Sequence, residues 1–179
     1  SSCYTLHPRL WWEAKTGSML PLRSLLFVPG NRSDMLDKAK GIAPDAIVPD
    51  MEDSVPTGKE KGRARATIAS HLQELTKAGH LVIPRTNALS TGLMESDLES
   101  VIGPHIFGVT VGKISSTEDI SKISNIIEKL EKRAGLPANK IKLIPWLETA
   151  KGIVNAYEIC LNPPRVVAVA FGAEDLTND

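Results

Sequence analysis

Cysteine is scarce in this chain: among 179 residues only Cys3 and Cys160 are present, far apart. That excludes a disulfide-dense scaffold and any four-thiolate zinc site, and it fits a reducing compartment. Charge imbalance is missing as well, since 21 Lys and Arg stand against 21 Asp and Glu. The basic footprint of a nucleic-acid binder or a polybasic membrane binder is therefore absent. No apolar run reaches the roughly 18 residues of a membrane helix. The best stretches, 25–28 and 166–173, have the length of core strands. A dinucleotide fold calls for Gly-x-Gly-x-x-Gly after its first strand, whereas Val28-Pro29-Gly30-Asn31-Arg32 supplies one glycine, and no Walker lysine occurs. A His-x-x-x-His pair, a Gly-x-Ser-x-Gly elbow and a Cys/His dyad are likewise lacking, and His71, His80 and His105 are scattered.

What is there is the composition of a soluble globular chain, 42% apolar and 23% charged. Residues 1–20 hold Trp11 and Trp12 without helical or strand periodicity, and with neither the apolar core of a secretory signal nor the arginines of a transit peptide. They read as a disordered leader or non-native extension, with Met19 a candidate start. The alternative is an arm that docks its tryptophans on a partner. From 21 to 179, short apolar runs alternate with helix-like segments, the pattern of βα units and a parallel sheet. The spacing predicts strands at 23–28, 46–49, 81–85, 108–113, 142–147 and 166–171, and helices at 34–40, 59–78, 91–102, 117–134 and 149–161. Ser33 and Thr117 are candidate N-caps, and Gly135 with Pro137 stops the fourth helix. Ile123, Ile126, Ile127 and Leu130 recur at helical spacing and predict a core face.

Polar residues collect where the predicted strands end: Asn31 and Arg32; Asp50, Glu52 and Asp53; Arg85 and Asn87; Lys113; Glu148; Asp175. A barrel enzyme distributes its catalytic face in this way. A full barrel typically needs about 250 residues, so the expectation is an α/β TIM (β/α)8 barrel truncated to about six strands, with its C-terminal units missing. Unpaired sheet edges would favour assembly or aggregation. Glu148 and Asp175 end consecutive apolar strands, so their carboxylates can converge on a magnesium ion completed by water or substrate oxygens. The competing reading makes them ordinary acids at helix starts. Arg85 can fork onto a carboxylate or thioester oxygen, or form a salt bridge in the barrel mouth. Asp50, Glu52 and Asp53 are close enough in sequence to perturb one another, so one can serve as a base or pair with Arg23, Arg32 or Arg85.

Five segments taken together carry a family resemblance: Arg23-Ser24-Leu25-Leu26-Phe27-Val28-Pro29-Gly30-Asn31, Asp50-Met51-Glu52-Asp53-Ser54-Val55, Arg85-Thr86-Asn87, Ile144-Pro145-Trp146-Leu147-Glu148-Thr149 with Gly152, and Phe171-Gly172-Ala173-Glu174-Asp175. In this order they resemble the citrate lyase beta subunit-like branch of the HpcH/HpaI aldolase superfamily, which includes malyl-CoA and citramalyl-CoA lyases. The resemblance implies a Mg2+-dependent carbon-carbon lyase, commonly a homotrimer. Its substrate would be a 3-hydroxy-carboxyacyl thioester on coenzyme A or an acyl carrier protein, and its products an acetyl thioester and a 2-oxo acid. It also implies Glu148 and Asp175 as metal ligands, and Arg85, Arg23 and Glu148 as substrate contacts. Glu52 and Asp53 would support Arg85 and the metal waters. Where related lyases usually carry proline before Lys113, this chain has Gly112, which implies a looser backbone and a weaker role for Lys113. Alternatives are a pyruvate-type class II aldolase without a thioester substrate and a non-catalytic metal-binding subunit. Cytoplasm is the expected compartment, with the mitochondrion the alternative for a eukaryotic source.

Overall fold

The alternating pattern is realised as one parallel sheet. The computed structural model describes residues 22–161 and 164–179, so the leader expected over 1–20 lies outside the described residues. Strands β1 (Leu25–Pro29), β2 (Ala46–Asp50), β3 (Arg85–Thr86), β4 (Gly108–Val111), β5 (Lys142–Leu147) and β6 (Ala170–Phe171) stand side by side in chain order. Every neighbouring pair is parallel. Unbroken sequential order is the winding of a TIM-type barrel; a doubly wound sheet reverses order at a switch point. The connections carry helices α1 (Ser33–Ala39), α2 (Lys59–Lys77), α3 (Met94–Val101), α4 (Thr117–Arg133), α5 (Ala150–Val154) and α6 (Ala156–Cys160), and α7 (Ala173–Thr177) follows β6.

The period-two alternation of strand side chains divides the apolar residues into two layers. Leu26, Ile47, Val82, Val109, Val111, Leu143 and Leu147 face the helices and join Ile68, Leu72, Leu98, Ile123 and Ile127 in the larger core. Ala46, Ile83 and Ile144, with Leu25, Leu81, Phe107, Ala168 and Ala170, form a second cluster on the other face, which is the inside of the barrel wall. Continuing the inner parity toward the carboxyl ends reaches Phe27, Asp50, Arg85, Trp146, Glu148 and Gly172. The parity that fills the barrel floor with apolar groups therefore aims the polar ones into its mouth. Register keeps them level, with Asp50 beside Arg85 and Arg85 beside Thr110.

Local departures from the expected elements have identifiable causes. β3 is short because Pro84 has no N–H to donate, and Val82 keeps only an isolated bridge to Ile47. The sixth strand begins with a bridge at Val166 and pairs regularly only at Ala170–Phe171. The fourth helix is capped one residue earlier than expected: the Ser116 hydroxyl accepts from the Asp119 N–H, and the Asp119 carboxylate accepts from the Ser116 N–H, a complete capping box. Ser33 is the first residue of α1 and not its cap; Arg32 holds that position. The helix expected over 149–161 breaks at Asn155, whose side-chain amide donates to the Ser115 carbonyl at 2.8 Å. Gly135 ends α4 as expected, with φ of 66°. Val167, Val169 and Phe171 leave the outer face of the sixth strand exposed. Among the described residues no helix is long and apolar enough to cross a membrane.

Candidate active site

Asp50 closes β2 and is fully buried. Its carboxylate accepts from Arg85 Nε at 2.7 Å and Nη2 at 2.6 Å, a two-pronged pair, and also from the Ser54 hydroxyl and the Glu52 and Ser54 backbone N–H groups. Burial pushes the Asp50 carboxyl up, but the guanidinium and Ser54 outweigh it and hold the group below the usual carboxylate range. Arg85 is burdened by burial and compensated chiefly by Asp50, so it stays charged. Its remaining faces are occupied too. Nη1 lies 3.1 Å from Glu52 Oε2 and donates to Asp53 Oδ2 at 3.0 Å, and the guanidinium sits 5.0 Å from the centre of the Phe27 ring. Phe27 meets Trp146 edge-on at 5.8 Å, and the indole N–H donates to the Thr110 hydroxyl. These rings form the apolar floor beneath the charges.

Glu148 follows β5 and is buried beside them. Oε1 accepts from the Lys113 backbone N–H at 2.8 Å. Two glycines make its slot. A Cβ on Gly112 would come within 2.5 Å of Glu148 Oε1 and 3.3 Å of Glu52 Oε1, and one on Gly172 would collide with Glu148 Oε2 and Cβ. Gly112 is thus a close-approach position, and Lys113, at φ of 58°, is turned so that its N–H reaches the carboxylate. That corrects the expectation of a marginal Lys113: its backbone holds Glu148, and its ammonium is 3.8 Å from Asp175 Oδ2. Asp175 lies on α7 and is partly exposed.

Burial pushes the Glu148 carboxyl up, the Lys113 N–H opposes this, and Asp175 adds to it. Burial likewise raises Glu52 to about 7, against the pull of Arg85 and with the push of Asp53 and Glu148. Burial disfavours the charged form of both carboxyls, and a hard divalent cation would relieve that cost. Among the described residues no three or more His, Cys, Asp and Glu side chains already form a metal cage. Glu148 and Asp175, near enough for Asp175 to raise Glu148, are the carboxylates that could hold Mg2+, an ion that keeps several water or substrate ligands.

The structure brings Asp50, Glu52, Asp53, Arg85, Glu148 and Asp175 to one mouth, with Asp53 on the wet side of Arg85 at 61% side-chain exposure. Arg23 is not among them. It precedes β1, at the amino-terminal rim, where its backbone N, Nε and Nη2 all donate to Asp45. The five residues of β1 put it about 16 Å from the mouth. The expected substrate contact at Arg23 is corrected to a clamp between the starts of β1 and β2. Phe27, Ser54, Thr110, Gly112 and Gly172 were not singled out for these contacts; strand parity signals all of them except Ser54.

A part-buried arginine flanked by carboxylates thus stands at the carboxyl end of a parallel, TIM-type barrel wall. The model of the family "HpcH/HpaI aldolase/citrate lyase" matches residues 23–179. The chain belongs to that family, in its citrate lyase beta subunit-like branch. It is 40% identical over 161 residues to a citrate lyase subunit beta-like protein of Deinococcus radiodurans, covering 88% of this chain and 54% of that one. To a (3S)-malyl-CoA thioesterase of Cereibacter sphaeroides it is 31% identical, covering 89% and 51%. Among solved structures it superposes on the Mycobacterium tuberculosis citrate lyase beta subunit complexed with oxaloacetate and magnesium, with a TM-score of 0.66 and 26% identity over 86% of this chain and 59% of that one. The Haloferax volcanii malate synthase magnesium/glyoxylate complex shares the fold, with a TM-score of 0.78 at 19% identity over 88% and 53%. The chain spans about half the length of the curated relatives it matches.

Proposed function

We propose that this chain carries the acid-binding part of a Mg2+-dependent lyase that cleaves, or forms, a 3-hydroxy-carboxyacyl thioester such as malyl-, citramalyl- or citryl-thioester. The carrier is coenzyme A or an acyl carrier protein, and the products are an acetyl thioester and a 2-oxo acid. The observation that carries this reading is the Arg85 fork on buried Asp50 beside the Glu148 slot, a cation and open carboxylates on one barrel mouth. The magnesium and oxaloacetate of the structural relative support the same ligand class.

In this reading Glu148 and Asp175 hold Mg2+, which supplies Lewis-acid polarisation of the substrate's hydroxyl or keto oxygen when bound. Arg85 binds the carboxylate end or the thioester oxygen. Its Nε and one Nη2 hydrogen stay on buried Asp50, while exposed Asp53 gives way to the incoming anion. Glu52, raised to about 7, is poised to hold or move a proton at neutral pH. The hydroxyl proton passes to a carboxylate and the adjacent carbon-carbon bond breaks. The hydroxyl carbon becomes the keto carbon of the 2-oxo acid. The released electron pair forms the enolate of the acetyl thioester, which then takes up a proton. Arg85 offers positive charge to that enolate.

The test is Mg2+-dependent release of acetyl-CoA from malyl-CoA and citramalyl-CoA, beside a Glu148→Ala, Asp175→Ala double variant. Activity lost in the double variant supports the lyase. The thioesterase relative favours a second reading, hydrolysis of a malyl thioester, which the same assay separates by giving free coenzyme A and malate with no 2-oxo acid. A protein inert toward malyl-, citramalyl- and citryl-thioesters on either carrier overturns both readings and returns the site to the plain aldolase alternative. Sedimentation of the same preparation tests the trimer.

A further inference from the structure

Behind the mouth, Lys61 on α2 is 7% exposed and, among the described residues, makes no hydrogen bond to a carboxylate. Its ammonium donates instead to two successive carbonyls of the acidic loop, Met51 O at 2.8 Å and Glu52 O at 2.7 Å. Met51 O accepts a second bond from Asn87 Nδ2 at 3.0 Å. Asn87 is itself fixed by buried Asp97, which accepts its N and Nδ2, and Asp97 is held by Arg65 Nε at 2.7 Å. A charged group costs several kcal/mol to bury, and here that charge is spent on backbone oxygens. A methionine would fill the same space without that cost.

We infer that Lys61 is a positioning residue for the candidate site: by gripping the Met51 and Glu52 carbonyls from behind, it turns the Asp50–Asp53 loop so that its carboxylates meet Arg85 and Glu52 faces the Glu148 slot. Glu52 has its side chain in the mouth and its carbonyl on Lys61, so rotation of that peptide moves the carboxylate directly. Asn87 supplies the second grip, from the loop after β3, the strand that also carries Arg85. The inference rests on the reading of this mouth as a magnesium and carboxylate site.

Lys61→Met and Lys61→Gln, with Lys61→Arg as the conservative rescue, separate positioning from mere packing. Two readouts bear on it besides activity. One is the Arg85 side-chain Nε–H resonance, assigned by its loss in Arg85→Lys. The other is calorimetric affinity for Mg2+ alone. Removing a partner bonded directly to a ligand typically weakens metal sites by about tenfold or more; Lys61 acts one step further out, through Glu52, so Lys61→Met is expected to lose about three- to tenfold in Mg2+ affinity. The Arg85 resonance should shift or broaden, and Lys61→Arg should restore both in part. A Lys61→Met protein that melts earlier yet keeps the resonance in place and Mg2+ affinity within about twofold of wild type overturns the inference. If the methionine variant does not fold, Lys61→Gln is judged by the same criteria. If the wild type binds no Mg2+, the proposed function fails, and the Arg85 resonance alone decides the role of Lys61.

Discussion

Replacing Arg85 by methionine tests the electrostatic argument most directly. Asp50 is 0% exposed and has two of its accepted hydrogen bonds from this one guanidinium, at 2.7 and 2.6 Å. Arg85→Met keeps the apolar contact with Phe27 and strips the charge, leaving Asp50 in the barrel wall with only Ser54 and backbone N–H donors. Breaking a buried pair from one side costs about 3 to 5 kcal/mol. For a chain of this size that is a fall in Tm of about 6 to 20 °C. Asp50→Asn in the same background removes the stranded charge, so the double variant should recover about 2 to 3 kcal/mol relative to the sum of the singles. Denaturant unfolding of the four proteins, followed by circular dichroism, gives each free energy. An Arg85→Met cost below about 1 kcal/mol, the value of an exposed ion pair, would refute the argument, as would strict additivity in the double variant.

Glu52 is held near 7 in the folded protein against 4.5 for a free carboxyl, so folding binds its proton more tightly. Its contribution is complete at low pH and is lost as pH rises through about 7, so wild type should lose about 3 kcal/mol relative to Glu52→Gln across that window. Parallel stability profiles in the two proteins would contradict this. Gly112→Ala places a methyl 2.5 Å from Glu148 Oε1 and should lower stability by about 1 to 3 kcal/mol while weakening Mg2+ binding in calorimetry. Ser116→Ala removes one half of the capping box of α4, a hydroxyl that accepts from the Asp119 N–H and touches none of the carboxylates of the mouth. It should cost about 1 kcal/mol in denaturant unfolding with no change in Mg2+ affinity.

Sequence reasoning reached the site where strand geometry carries the information. Asp50, Arg85 and Glu148 share the inner parity of Ala46, Ile83 and Ile144, and each stands at a strand's carboxyl end. Arg23 was misplaced because it stands in one unbroken motif with Pro29-Gly30-Asn31. A strand rises about 3.3 Å per residue, so contiguity in sequence became opposite ends of the wall. Lys61 lies in a run of charged residues, Lys59-Glu60-Lys61-Gly62-Arg63, whose composition does not tell the buried lysine from its more exposed neighbours. Its helix register held a signal, for it falls on the same face as the buried Ala64, Ile68, Leu72 and Leu75. Strand parity puts Gly112 and Gly172 on the inner face, but how closely their backbones approach Glu148 depends on the packing of neighbouring strands.

The charge balance of the mouth explains why so much acid is gathered there. Asp50, Glu52, Asp53, Glu148 and Asp175 face two cations, Arg85 and Lys113, and the lysine is 46% exposed and therefore screened by solvent. Arg85 already meets three of the carboxylates, so Glu148 relies on a single backbone N–H. Burial has driven Glu148 and Glu52 toward their neutral forms, while Asp50, with the guanidinium to itself on two sides, stays ionised. Apolar side chains of similar volume would stabilise a purely structural barrel wall better than this arrangement does. Under the proposed function, carboxyls held unfavourably by burial, open on one side and rigidly backed on the other, are relieved when a small hard cation binds, and Arg85 with that cation receives the anion.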